Sequence, residues 1–265
     1  MPESPTPPPL PAGSVAVAAP ETKPYGFWAT TGIGVAVLLS FITVQSVVMI
    51  IMVFALFGED GMSNIMDNLE TLALDGRILS LSMAVSFPVL IVGCAFFAFL
   101  RKGIPVRDYL ALRPMSLGWW IALPPLTVAF VYALGMLLQL AGAPEENEWM
   151  LLVGKASVGN PLVWIGIVIL APVAEEILFR GFLHQGYAKT PIRLWGTIVL
   201  TSIGWSVIHA QYYIYGLVFI FVLGVALGVV RWKSNSIYGP ILVHAVNNGF
   251  AMWMVMKAVQ ESAGG

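Results

Sequence analysis

Residues 161–187 read PLVWIGIVILAPVAEEILFRGFLHQGY, an apolar stretch that is interrupted near its middle by Glu175, Glu176 and Arg180. A transmembrane helix needs about 20 mostly apolar residues, because each residue advances the helix by about 1.5 Å. Ionisable side chains inside such a segment are expensive to bury and usually serve a function. The stretch therefore predicts both a membrane-spanning helix and a buried polar site.

The composition of the whole chain also indicates a membrane protein. Of its 265 residues, 58% are hydrophobic and only 10% are charged, whereas a soluble domain carries about 25% charged residues. The net charge of -1 argues against a nucleic-acid-binding protein, which would need a basic surface. The sequence predicts an all-α, polytopic bundle of transmembrane helices that lies in a lipid bilayer and binds no nucleic acid.

Apolar stretches predict about seven spans, or eight if the unusually long first stretch is broken. The spans are expected at about 27–57, 79–100, 117–141, 161–187, 193–210, 213–231 and 236–258. With the amino terminus in the cytoplasm, the basic side chains inside would be Lys23, Arg101, Lys102, Arg107, Arg113, Lys189, Arg193, Arg231 and Lys233. Those outside would be Arg77, Lys155 and Lys257. Because cytoplasmic loops are enriched in Lys and Arg, this distribution favours a cytoplasmic amino terminus.

The same pattern divides the chain into three regions. Residues 1–24 are rich in proline and contain one basic side chain, which predicts a disordered cytoplasmic tail. Residues 25–158 are predicted to hold the first transmembrane helices, with external amphipathic segments at 58–78 and 142–160. Residues 159–260 are predicted to form the transmembrane core that carries the polar site.

Polar side chains recur at a similar depth in later spans. Counting along each helix places Glu175, His209, His244 and Asn248 in one band near the middle of the membrane. A carboxylate and a neutral imidazole that face one water can remove its proton and make it a nucleophile. A second imidazole and a side-chain amide can donate hydrogen bonds to the oxyanion that forms when a carbonyl is attacked. These are the parts of a peptide-hydrolysing site.

Neighbouring residues are expected to support this set. Glu176 and Arg180 are four residues apart and should pair along one helix face. Trp205 precedes His209 by four residues, which places its ring beside the imidazole. Pro172 removes a backbone hydrogen bond, so we expect the helix to kink or open just before the two carboxylates.

The same residue types leave other interpretations open. Glu175, His209 and His244 also match the ligand set of catalytic zinc, although neither the HExxH nor the HxxEH signature occurs. Buried polar groups can instead hold helices together, or carry protons through a transporter. A transporter would be expected to show an internal repeat and charged residues in further spans, and the sequence shows neither.

Glycines in the sixth predicted span indicate close helix contacts. The span contains Gly216 and the pair Gly224-x-x-x-Gly228. Small residues at this spacing let two helix backbones approach closely. The pair therefore predicts either tight packing within the bundle or a dimer interface through this helix.

Three motifs in the region from about 160 to 256 resemble those of the CPBP intramembrane proteases. This family comprises CAAX prenyl endopeptidases and the bacterial Abi, or bacteriocin-processing, proteins. Its motifs Glu-Glu-x-x-x-Arg, Phe-x-x-x-His and His-x-x-x-Asn (or Asp) appear, in this order, as Glu175-Glu176-Ile-Leu-Phe-Arg180, Trp205-Ser-Val-Ile-His209 and His244-Ala-Val-Asn-Asn248. Tryptophan stands where the family usually has phenylalanine, so we expect substrate fit to differ more than catalysis.

The resemblance implies an intramembrane endopeptidase in which Glu175 and His209 activate a water. It implies that His244 and Asn248 form the oxyanion site, and that the ion pair next to Glu175 orients this carboxylate. The family is labelled metalloprotease, yet its mechanism is also described as metal-free. We favour the reaction without a cofactor, with zinc on Glu175, His209 and His244 as the alternative.

The resemblance also implies the kind of substrate and the location. The substrate is expected to be a membrane-embedded or lipid-associated peptide or protein, cleaved near the cytoplasmic half of the bilayer. A bacterial cytoplasmic membrane is the preferred location, because many members of the family are bacterial. A scaffold or immunity protein of the same family, without proteolytic activity, is the alternative; such a protein would be expected to lack a catalytic residue.

Overall fold

A computed structural model of the chain describes residues 22–63, 75–144 and 148–264. Regular structure within these ranges is helical, as the composition predicts, and includes no strand. The helices are α1 (Phe27–Ser63), α2 (Gly76–Leu100), α3 (Val106–Tyr109), α4 (Leu117–Leu140), α5 (Glu148–Ser157), α6 (Pro161–Ala188), α7 (Arg193–Val207), α8 (Ile214–Ser234) and α9 (Tyr238–Gly264). The predicted disordered tail lies outside the described residues apart from 22–24, as does most of the predicted segment 58–78.

Five helices in the described part of the chain are long and apolar enough to cross a membrane. They are α1 as far as Gly58, α2, α4, α6 and α8, so the chain is an integral membrane protein. The predicted count of seven spans is not confirmed. The 15 residues of α7 cover only about 22 Å, and α9 is long but carries the polar side chains of the third motif.

α6 is the central helix of the bundle. Half of its most apolar stretch is buried, compared with 11% in α1 and 33% in α2. Its side chains Ala174, Leu178 and Phe182 belong to one buried core, which also includes Leu90 of α2 and Leu223 of α8. Ionisable side chains in a membrane span face the interior of the bundle, because lipid cannot solvate them. The two glutamates of the first motif are therefore carried into the interior of the protein.

Side-chain caps fix where α2 and α6 begin. The carboxylate of Asp75 accepts a hydrogen bond from the backbone N–H of Arg77, and the Arg77 side chain holds the pKa of Asp75 below its usual value. The side chain of Asn160 accepts from the N–H of Leu162 and donates to the carbonyl of Gly76 at 2.8 Å. The second bond ties the start of α6 to the start of α2.

α6 changes its helical geometry on both sides of the two glutamates. Residues Gly166–Leu170 and Ile177–Leu183 form π turns, whereas Ala171–Glu176 is α-helical. α6 is continuous through Pro172, and the opening expected there takes the form of the π turn that ends two residues before the proline. π turns inside α-helices occur frequently at functional sites.

Gly224 and Gly228 pack against α7. A Cβ atom at Gly224 would lie 3.0 Å from Cβ of Ser202, and one at Gly228 would lie 2.9 Å from Cγ2 of Ile198. Both glycines therefore serve packing within the bundle, which was one of the two interpretations of the motif. The dimer through this helix stays a prediction.

Replacing Gly228 with leucine is expected to destabilise the protein by about 1–3 kcal/mol, because the new side chain must displace the fully buried Ile198. The matched control is Gly32→Leu in α1, where the side chain would enter open space. The midpoint of thermal unfolding in detergent measures the effect for both variants. Equal midpoints for the two variants would contradict the packing of α8 on α7.

Candidate functional site

Glu175 extends from α6 towards the end of α7. The indole N–H of Trp205 donates to its Oε2 atom at 2.6 Å, and Nε2 of His209 lies 4.0 Å from the same oxygen. The side chain of Glu175 is 12% exposed and that of His209 is 20% exposed. The two groups therefore face each other where small polar molecules can reach them, while most of their surface is covered by protein.

The His209 ring is held by the backbone of its own turn. His209 follows the end of α7 by two residues, whereas the sequence predicted it inside the span 193–210. Its Nδ1 atom lies 2.8 Å from the carbonyl oxygen of Trp205. Because a carbonyl oxygen only accepts, Nδ1 carries a proton, and in a neutral ring the nitrogen without a proton is Nε2, which faces Glu175. This is the tautomer that can accept a proton at Nε2.

Glu176 lies at the centre of a buried cluster of charged and polar groups. Its Oε1 atom accepts from Nη1 of Arg180 at 2.9 Å and lies 3.0 Å from Nδ1 of His244. Glu176 and Arg180 are fully buried, and the pairing predicted from their spacing is present. Arg180 also donates to the carbonyl oxygen of Gly224 on α8 at 3.1 Å. The cluster therefore joins α6, α8 and α9.

Trp205 lies between these two groups of contacts. The guanidinium carbon of Arg180 is 4.7 Å from the centre of the indole ring. The rings of His209 and His244 meet the same indole edge-on, with centroids 5.3 and 5.0 Å away. The sequence placed Trp205 beside His209, but it gave no sign of the hydrogen bond to Glu175, because that partner lies on another helix.

Asn248 contacts α6 at a different point. Its amide nitrogen donates to the carbonyl oxygen of Ile167 at 2.9 Å, and its amide oxygen accepts from the side chain of Asn247 at 3.0 Å. The amide thus lies against the first π turn of α6. An amide nitrogen carries two hydrogens, and the bond to Ile167 uses one of them.

Arg231 is buried at the end of α8, where the sequence predicted the cytoplasmic end of a span. Its side chain is 5% exposed in the structure, and its Nε atom donates to the backbone carbonyl oxygen of Arg180 at 3.0 Å. Arg231 lies in the last turn of α8, and its long side chain reaches the neighbouring α6. Arg231 therefore adds a second cation to the packing around the first motif.

Tyr212 is a further residue near the site that the sequence did not single out. Its ring centroid lies 6.3 Å from that of His209, and its hydroxyl donates to the sulfur of Met150 at 3.2 Å. Burial raises the pKa of Tyr212 to about 12, and the nearby negative charge of Glu175 acts in the same direction. Tyr212 is therefore a neutral hydrogen-bond donor at physiological pH.

The residues do not fit the zinc site that the sequence left open. Within residues 22–63, 75–144 and 148–264, no group of three His, Cys, Asp or Glu side chains is placed to hold a metal ion. His244 directs its Nδ1 atom at Glu176, whereas His209 faces Glu175. The two histidines and Glu175 therefore do not converge on one point.

The fold and the contacts define a helical integral membrane protein. Its central helix carries a partly exposed carboxylate, which faces a partly exposed imidazole beside that helix. A family model described as Type II CAAX prenyl endopeptidase Rce1-like matches residues 157–250. This segment contains all three motifs and extends from the end of α5 into α9. The match covers the segment that carries the three motifs, supports the predicted resemblance to the CPBP proteases, and connects this segment to a family of endopeptidases.

A relative extends the likeness beyond this segment. An uncharacterized 24.3 kDa protein of Escherichia coli is 28% identical over 153 residues, which is 57% of this chain and 70% of that protein. The aligned length exceeds that of the family match, so the similarity reaches residues outside the three-motif region. No solved structure matches the chain.

Proposed function

We propose that the chain is an intramembrane endopeptidase that hydrolyses a peptide bond of a membrane-embedded or lipid-associated substrate. The supporting observation is the position of Glu175 opposite Nε2 of His209, at 4.0 Å, while Nδ1 of the same ring is held by the carbonyl of Trp205. This separation is too long for a direct hydrogen bond, but a water about 2.8 Å from each group can contact both. The match to a family of prenyl endopeptidases supports peptide hydrolysis.

In the proposed reaction, Glu175 and His209 hold the attacking water. Glu175 takes one proton as the water oxygen attacks the carbonyl carbon of the substrate. The former carbonyl oxygen becomes an oxyanion, and His244 and Asn248 donate hydrogen bonds to it. When the C–N bond breaks, the proton passes to the leaving amine, so that the elements of one water are divided between the two products.

The contact between His244 and Glu176 limits when His244 can donate a hydrogen bond to the oxyanion. Because Nδ1 donates to the carboxylate, Nε2 can donate to an oxyanion only when the ring carries two protons. The ring is then a third cation beside the first motif, after Arg180 and Arg231, and it is paired with Glu176.

We also infer a cytoplasmic amino terminus in a bacterial membrane. Thr31 near the start of α1 bonds Tyr187 near the end of α6, so these two points lie at the same end of the bundle. The segment after α2 meets the segment after α8, where Ser236 donates to the carbonyl of Arg113. Basic side chains are concentrated in these connections, which favours the cytoplasmic side. With α7 and α9 as additional passes, the chain would cross the membrane seven times.

Hydrolysis of a defined probe tests the proposal. The protein is reconstituted in liposomes with an internally quenched, farnesylated peptide that ends in a CAAX box, and the products are identified by mass spectrometry. We expect cleavage at one bond and slower cleavage of the same peptide without the farnesyl group. Recovery of both peptides intact, after incubation with folded protein, would contradict prenyl-endopeptidase activity.

The proposed reaction needs no metal, because Glu175 and His209 suffice to activate the water. An active preparation is therefore expected to contain far less than stoichiometric zinc. We expect 1,10-phenanthroline to change the rate no more than its non-chelating isomer 1,7-phenanthroline does. Metal analysis and the rate assay check this expectation. Complete inhibition by the chelator, with recovery on addition of zinc, would contradict it.

A further inference from the structure

Trp205 contacts both members of the Glu175–His209 pair. Its indole N–H donates to Oε2 of Glu175 at 2.6 Å, and its backbone carbonyl accepts from Nδ1 of His209 at 2.8 Å. One residue thus holds the carboxylate through its side chain and the imidazole through its main chain. Because the indole is 2% exposed and fixed on several sides, it has little freedom to release either contact.

The indole N–H has a specific consequence for the carboxylate. The hydrogen bond holds Oε2 against the indole and opposite Nε2 of His209, which lies 4.0 Å away. Without this donor, the partly buried carboxylate would have one hydrogen bond fewer, which costs free energy. Phenylalanine, the usual residue of the family at this position, has a ring but no N–H. The tryptophan therefore adds a contact that the motif alone does not specify.

Arg180 strengthens this contact from the other side of the ring. Its guanidinium carbon lies 4.7 Å from the indole centroid, where a cation is attracted to the π electrons. A cation on the ring draws electron density from the indole and makes its N–H a stronger donor, in the way that linked hydrogen bonds polarise one another. The charge of Arg180 thereby strengthens the hydrogen bond from Trp205 to Glu175, although the direct partner of Arg180 is Glu176.

We propose that Trp205 is a positioning residue for peptide hydrolysis: its N–H orients Glu175 and its carbonyl orients His209, so that both face the same water. This inference rests on the proposed endopeptidase function. It predicts an effect on the chemical step rather than on substrate fit, where the sequence had placed the effect of this tryptophan, since the buried indole is not available to a substrate.

A shape-preserving replacement separates the N–H from the packing of the ring. Genetic incorporation of 3-benzothienylalanine at position 205 exchanges the N–H for sulfur and keeps the two-ring shape, whereas Trp205→Phe removes both the N–H and ring volume. The matched control is Trp120→Phe on α4, where the indole is 44% exposed. Each protein is reconstituted in liposomes and measured with the quenched farnesylated peptide.

We expect the benzothienyl protein to lose about tenfold in kcat, with KM changed by no more than about twofold and the unfolding midpoint retained. Trp205→Phe should show at least the same loss of kcat, and Trp120→Phe should behave as the wild type. A wild-type kcat in the benzothienyl protein would overturn the positioning role. Full turnover by Glu175→Ala would instead overturn the proposed function, so the two failures are distinguishable.

A second measurement needs no activity. The chain has nine tryptophans, and loss of one indole ¹⁵N–¹H resonance in Trp205→Phe identifies the resonance of Trp205. We expect this resonance to lie downfield of those of exposed indoles and to move upfield in Glu175→Ala, because its charged acceptor is gone. An unchanged resonance in Glu175→Ala would show that the hydrogen bond is absent and would overturn the inference.

Discussion

Replacing Glu175 with alanine is expected to lower kcat about a thousandfold, while the protein still accumulates in the membrane. The loss is large because His209 alone would have to position the water and accept its proton. Stability should change much less, since Glu175 is partly exposed and its removal leaves only the indole N–H of Trp205 without its acceptor. The rate of cleavage of the farnesylated probe in liposomes measures the first effect, and the yield of folded protein measures the second.

The control for this variant is Glu261→Ala, which removes an exposed carboxylate near the end of α9. It should retain the wild-type rate. His209→Ala should resemble Glu175→Ala in both rate and yield, because the two side chains are proposed to act on one water. Full turnover by the Glu175→Ala protein would contradict the proposed mechanism.

Arg180→Ala is expected to have the largest effect on stability, a loss of about 3–5 kcal/mol. The substitution leaves Glu176 fully buried without its cation and removes the bond to the carbonyl of Gly224. It also removes the cation that lies on the indole of Trp205. The midpoint of thermal unfolding and the yield from membranes should both fall, and activity should fall with them.

Replacing both Glu176 and Arg180 with uncharged residues separates the effect of ion pairing from the effect of lost side-chain volume. In the double variant Glu176→Gln with Arg180→Met, neither position carries a charge, and the glutamine can still accept from His244. We expect the double variant to recover part of the unfolding midpoint that Arg180→Ala loses. A midpoint for Arg180→Ala equal to that of the wild type would show that the buried pair does not hold α6, α8 and α9 together.

The helical architecture could be predicted from the sequence because apolar stretches of sufficient length have few alternatives in a membrane. The starts of α2, α4 and α6 fall within three residues of the predicted spans. The end of α7 lies three residues before the predicted end, because the apolar residues continue beyond Val207 into the turn that carries His209. Apolarity reports the environment of a residue, and it does not report whether the backbone is helical.

From the sequence, only those contacts of the site that lie within one helix could be predicted. The Glu176–Arg180 pair follows from a spacing of four residues on one helix. The bonds from Trp205 to Glu175 and from Arg231 to Arg180 join different helices, so they depend on how α7 and α8 pack on α6. A single sequence carries no signal for such pairs, and the tryptophan appeared in the motif merely as an aromatic residue.

Mapping of new amino termini in membrane proteins tests the endopeptidase function most directly. Membranes from bacteria that produce the wild type, Glu175→Ala or His209→Ala are compared by mass spectrometry of amino-terminal peptides, at equal amounts of each protein. The proposed function predicts a set of cleavage sites that is present with the wild type and absent with both variants. Identical amino termini in all three membranes, or a full set of sites with Glu175→Ala, would contradict it.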